Sequence, residues 1–119
     1  MVVYTILPEP LTGSGMKEII VRQHTVEEPG IYSATGCVPT IGRGFRVYLN
    51  GNVVGVVSNN CFSIPFMAQK GDKITITLLV YMVSSPLYIG FVDITLLRYD
   101  EKEKIWVEVP LFTPITSVS

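Results

Sequence analysis

The sequence has little of what catalysis and charge-driven recognition require. Its 119 residues include one histidine, one tryptophan and two cysteines. A single histidine, His24, excludes a multi-histidine metal site within one chain. Its setting, Arg22-Gln23-His24-Thr25, is that of a surface or hydrogen-bonded strand residue. Charged residues make up 16% of the chain, against about 25% in an average globular domain. The 9 Lys and Arg are balanced by 10 Asp and Glu. No basic stripe exists to neutralise phosphates, so nucleic acid is not an expected partner. Long apolar runs are missing too. The longest, residues 74–83, is interrupted by Thr75 and Thr77 and is about half the length that spans a bilayer, so membrane insertion is not expected. Met1-Val2-Val3-Tyr4 has no basic region and leads into Pro8 and Pro10. No signal peptide is therefore expected, and synthesis is expected in the cytoplasm, which is compatible with a final place on a virion or particle surface.

Catalytic constellations are equally scarce. Most carboxylates fall at turns or on outward strand positions, and no spacing argues for a glycosidase pair. Asp93, inside an apolar strand, is the one carboxylate that stands out. A solvated or ion-paired role is expected for it, with Arg46 or Arg98 as partner. Gly13-Ser14-Gly15 and Gly42-Arg43-Gly44 lack the following helix that a phosphate loop needs. No Ser/His/Asp or Cys/His arrangement is recognisable. The spacing of Cys37 and Cys61 fits no zinc pattern. Two small buried apolar residues is the first expectation for them, a single disulfide the second, and a reactive thiol or metal role the third. No enzymatic activity, cofactor or metal is expected.

What the chain does have is apolar residues, 48% of the total, in short runs rich in Val, Ile, Thr, Tyr and Phe. Turn signals recur along the whole length, and no apolar stripe of helical period is sustained. Residues 1–119 therefore form a single all-β domain, an antiparallel two-sheet jelly-roll-like sandwich. Candidate strands are residues 2–6, 17–26, 31–37, 45–50, 53–58, 61–65, 73–82, 88–99 and 105–109. Asn50-Gly51-Asn52 is the clearest hairpin signal. Pro29-Gly30 marks a tight turn, Lys70-Gly71-Asp72 launches a strand, residues 100–104 form a polar loop, and residues 7–15 form a surface loop.

Alternation locates the surplus hydrophobicity. Ile74, Ile76, Leu78 and Val80 share one face of a long strand, and Thr75, Thr77, Leu79 and Tyr81 share the other. In the penultimate strand Val92, Ile94 and Leu96 oppose Phe91, Asp93, Thr95, Leu97 and Tyr99. A half-wet strand carries polar residues on its second face, and these two do so only in part. Leu79, Tyr81, Phe91, Leu97 and Tyr99 are therefore the expected contact of a homo-oligomer, with cover by a loop of the same chain as the alternative.

The turns also come in a recognisable order. Glu28-Pro29-Gly30-Ile31-Tyr32 is followed by Val47-Tyr48-Leu49-Asn50-Gly51, then Lys70-Gly71-Asp72-Lys73-Ile74, then Tyr88-Ile89-Gly90-Phe91. Over residues 24–97 this resembles the C1q/TNF-like jelly-roll superfamily, with Tyr88 in place of the first Phe of its "F-x-G-F" strand. The resemblance implies a trimer packed around an axis and a role as a recognition head. The chain departs from that family in being shorter between Cys37 and Phe45, in adding a hairpin over residues 99–109 and an apolar tail at 111–115, and in lacking a collagen-like stem. These departures favour a non-enzymatic head, spike, fibre-tip or decoration component of a virion or surface assembly over a signalling protein. Its partners would be copies of itself and other virion or surface proteins, or a cell-surface receptor or glycan. Sugar-binding jelly-roll modules, which also use "LNG" and "GD" turns, are the second resemblance. They imply exposed aromatics, for which Tyr48, Tyr81, Tyr99 and Trp106 are the candidates, although Trp106 better suits a core or interface anchor.

Overall fold

The computed structural model describes residues 3–4, 15–40, 42–82 and 92–109. The expectations for Phe91, for the Tyr88-Ile89-Gly90-Phe91 motif, for most of the loop at 7–15 and for the tail at 111–115 lie outside the described residues.

Nine strands are described: β1 (Val3–Tyr4), β2 (Gly15–Thr25), β3 (Gly30–Cys37), β4 (Gly42–Leu49), β5 (Asn52–Val57), β6 (Cys61–Ala68), β7 (Lys73–Met82), β8 (Val92–Asp100) and β9 (Ile105–Glu108). They form two antiparallel sheets. Sheet I has the order β1-β8-β3-β6, with β9 beside β1 on the free edge of β8, and sheet II has the order β2-β7-β4-β5. Along the first eight strands the chain crosses between sheets at every connection except the β4–β5 hairpin. The nested order 1-8-3-6 over 2-7-4-5 is that of a jelly roll, and the expected all-β, two-sheet sandwich is what the chain forms.

Local chemistry accounts for the turns. Asn50 and Gly51 both have positive φ, 52° and 85°, and Leu49 pairs with Asn52 across them. This two-residue turn matches the twist of the flanking strands, which is why Asn-Gly marks hairpins. The Asn50 side chain then reaches the next turn, accepting from the Lys73 N–H at 2.8 Å and donating to Asp72 at 3.1 Å. In the β8–β9 hairpin, the Asp100 carboxylate accepts the N–H groups of Lys102 and Glu103 at 3.0 and 3.2 Å. The Pro29-Gly30 signal marks the end of a turn, because Gly30 is already the first residue of β3 and pairs with Ala68.

The core lies between the sheets. Sheet II contributes Ile19, Phe45, Val47, Ile74, Ile76, Leu78 and Val80, and sheet I contributes Tyr32, Ala34, Val92, Ile94 and Leu96, all fully buried. β7 and β8 are central strands, so the alternating sets expected to point inward do so. At roughly 25 cal/mol per Å² of apolar surface, such burial is the main favourable term in folding. Gly55 permits the sheets to approach at the β5 edge: a β-carbon there would fall 2.7 Å from the Ile64 side chain of β6.

The cysteines depart from the first expectation. Cys37 and Cys61 are opposite each other in β3 and β6 and form a disulfide. Cys61 is exposed rather than buried. The pair joins β6, the edge strand of sheet I, to its neighbour.

Candidate functional site

Three surfaces deserve description, and register defines each. The first is the outer face of sheet I. On β8 the outward residues are Asp93, Thr95, Leu97 and Tyr99. The first three align with Cys37, Thr35 and Ser33 on β3, and Cys37, Thr35, Ser33 and Ile31 of β3 align with Cys61, Ser63, Pro65 and Met67 on β6. On the other side of β8, Trp106 faces Tyr99 and Glu108 faces Leu97. One end of this face thus carries a row of two apolar pairs, Trp106 with Tyr99 and Ile31 with Met67. Trp106 is 45% exposed and Met67 58%. The Tyr99 and Trp106 rings meet edge-on, with centroids 5.3 Å apart, a favourable aromatic geometry. Beside that row runs a shallow groove of about 400 Å³, lined by Thr35, Thr95, Leu97, Asp93, Glu108 and the disulfide.

β5 and β6 are the adjacent edge strands of the two sheets, and together they form one flank of the sandwich. Val53 and Val56 of β5 are exposed, Val56 at 59%, and register sets them beside Tyr48 and Arg46 on the outer face of sheet II. No charged residue occurs between residues 47 and 69. Both strands carry devices that discourage backbone pairing with another strand: β5 has a bulge at Val54, and β6 has Pro65, which lacks an N–H.

The second surface, the outer face of sheet II, is held by its own polar residues. The Glu18 carboxylate accepts hydrogen bonds from Tyr48 at 2.5 Å, Thr77 at 2.6 Å and Arg46 at 3.3 Å. Burial alone pushes the Glu18 pKa up. The hydrogen bonds from Thr77 and Tyr48 and the Arg46 charge outweigh it and hold the carboxyl below its ordinary value of 4.5. Nearby, the Arg43 guanidinium lies over the Tyr81 ring, 5.8 Å from its centroid.

The third surface is a cleft of about 230 Å³ at one end of the sandwich, lined by His24, Glu27, Glu28, Tyr32, Arg98, Val107, Glu108 and Val109. A β-bulge creates it. Ile19 of β2 points inward opposite Leu78, but the extra residue Val21 shifts the phase, so that Arg22 and His24 sit opposite Ile76 and Ile74 and take inward positions in turn. Arg22 is fully buried, and its guanidinium donates to the Val109 carbonyl at 2.6 Å. Arg98 pairs with Glu28 at 3.4 Å, and the Tyr32 hydroxyl donates to the Glu28 carbonyl at 2.6 Å. Burial and then the Arg22 charge lower the His24 pKa, while Glu27 opposes them.

Several expectations change as a result. β7 and β8 belong to different sheets, so Leu79 and Tyr81 lie on one outer face and Leu97 and Tyr99 on the opposite one. They do not form a single patch. Leu79 is only 9% exposed. Arg46 pairs with Glu18 and Arg98 with Glu28, so neither is the partner of Asp93, which lines the groove instead. Gly42-Arg43-Gly44 is part of β4, with Arg43 as an extra residue against β7. Of the four candidate sugar-binding aromatics, only Tyr99 and Trp106 come together, and Trp106 is outside the core. Among the described residues no cluster of three or more His, Cys, Asp or Glu could hold a metal ion. No family model matches the chain, and no curated protein or solved structure does either.

Proposed function

We propose that the chain is a non-enzymatic assembly and recognition module, a homotrimeric jelly-roll head or decoration component of a virion or surface structure. The observation that carries this reading is the apolar end of the outer face of sheet I, where Trp106 faces Tyr99 and Ile31 faces Met67. A small domain that exposes large apolar residues beside one another has surface suited to a partner. The resemblance to C1q/TNF-like heads points to a trimer.

Light scattering coupled to size exclusion tests the proposal. The expected mass is three times the 13.2 kDa of the chain, and a monomer at micromolar concentration overturns it. The exposed Tyr99–Trp106 pair beside a groove with Thr35, Thr95, Asp93 and Glu108 favours a second reading, a carbohydrate-binding module. That reading requires binding on a glycan array that Trp106→Ala abolishes.

A further inference from the structure

We infer that the end cleft is an acid-released latch: protonation of His24 beside Arg22 and Arg98 detaches the end of β9 from the sandwich. β9 is a four-residue strand added to the edge of the eight-stranded jelly roll, and Ile105 and Trp106 in it are exposed. Beyond its pairing with β8, its end is held at Val109. The Val109 N–H donates to the Leu96 carbonyl at 2.9 Å, and its carbonyl accepts from the buried Arg22 guanidinium of the opposite sheet at 2.6 Å. Val109 is itself buried against the core. The Arg22–Val109 contact therefore ties β9 to sheet II.

The bulge at Val21 places the sole histidine on the same inward face, one pleat from that tie. The groups around it are Arg22 on its own strand, Glu27 and Glu28 in the following turn, Tyr32 on β3, Arg98 on β8 and Glu108 at the end of β9. On β7 the residue opposite His24 is Ile74, and the nearby Lys73 stands opposite Thr25. Arg98 is already paired with Glu28. A proton on His24 adds positive charge next to the buried Arg22, where water cannot screen the repulsion well. Glu27 offsets part of it. The cheapest relief is for the end of β9 to leave, because the cleft then opens to solvent. Burial and the Arg22 charge work in the same direction, disfavouring the His24 proton while the latch is closed. β9 also carries Trp106, one end of the apolar row, so its release would weaken the trimer. That last step rests on the assembly reading above.

Trp106 is the only tryptophan and sits on the element proposed to move. Its emission can be followed from pH 8 to pH 5, with far-ultraviolet circular dichroism and light scattering recorded on the same samples. A change in Trp106 emission with its midpoint below 6.5, the ordinary histidine value, at constant circular dichroism, supports the latch. His24→Gln should abolish it, and Glu27→Gln, which removes the charge that offsets the repulsion in the closed cleft, should move it to higher pH. No transition, a transition that His24→Gln leaves unchanged, or loss of circular dichroism at the same midpoint overturns it. A mass of one chain at every pH with the Trp106 transition intact leaves the latch standing and removes the trimer.

Discussion

Cys37 and Cys61 occupy directly opposed positions in β3 and β6 and are joined by a disulfide, so the β4–β5 hairpin between them is enclosed in a covalent loop. The two cysteines are 24 residues apart in sequence. Closing a loop of that length removes unfolded-state entropy equivalent to about 3 kcal/mol. The double variant Cys37→Ala/Cys61→Ala should lose stability on that order in a urea melt. Reduced wild-type protein should lose a similar amount. A double variant as stable as the oxidised protein would show that the bond contributes nothing to folding.

Two glycines separate a backbone constraint from a side-chain one. A β-carbon at Gly36 would lie 2.2 Å from the Asp93 carbonyl oxygen of the neighbouring strand. Gly36→Ala cannot be accommodated without parting β3 from β8, and the expected loss is about 3 kcal/mol or more. At Gly55 the obstacle is the Ile64 side chain at 2.7 Å. That side chain can shift, so Gly55→Ala should cost about 1–2 kcal/mol, within the range of ordinary overpacking. Thermal melts of both variants check the order, and equal losses would contradict it.

Much of this fold was legible in the residues. Asn50-Gly51 and Lys70-Gly71-Asp72 placed turns, and the alternation at Ile74, Ile76, Leu78 and Val80 gave the inward face of β7, because period two survives wherever a strand is regular. Three things were not legible. The bulge at Val21 leaves no mark in the sequence, yet it turns Arg22 and His24 inward and makes the end cleft. The pairing of Cys37 with Cys61 depends on β3 meeting β6, a contact between strands distant in sequence. The separation of β7 and β8 into different sheets is also a matter of topology. It sends Tyr81 and Tyr99, which look alike in strand pattern, to opposite sides of the molecule.

The Glu18 cluster makes stability pH-dependent in a direction that can be worked out. Its folded pKa lies below the ordinary 4.5, so the unfolded chain binds the proton more readily. The contribution is present above pH 4.5 and is lost as pH falls through the folded value. Tyr48→Phe removes one of the three hydrogen-bonding side chains. At pH 7 it should cost about 1 kcal/mol, given the partial exposure of the carboxylate. At pH 3 the difference between variant and wild type should shrink. Urea melts at the two pH values measure it, and a difference that grows in acid would contradict the assignment.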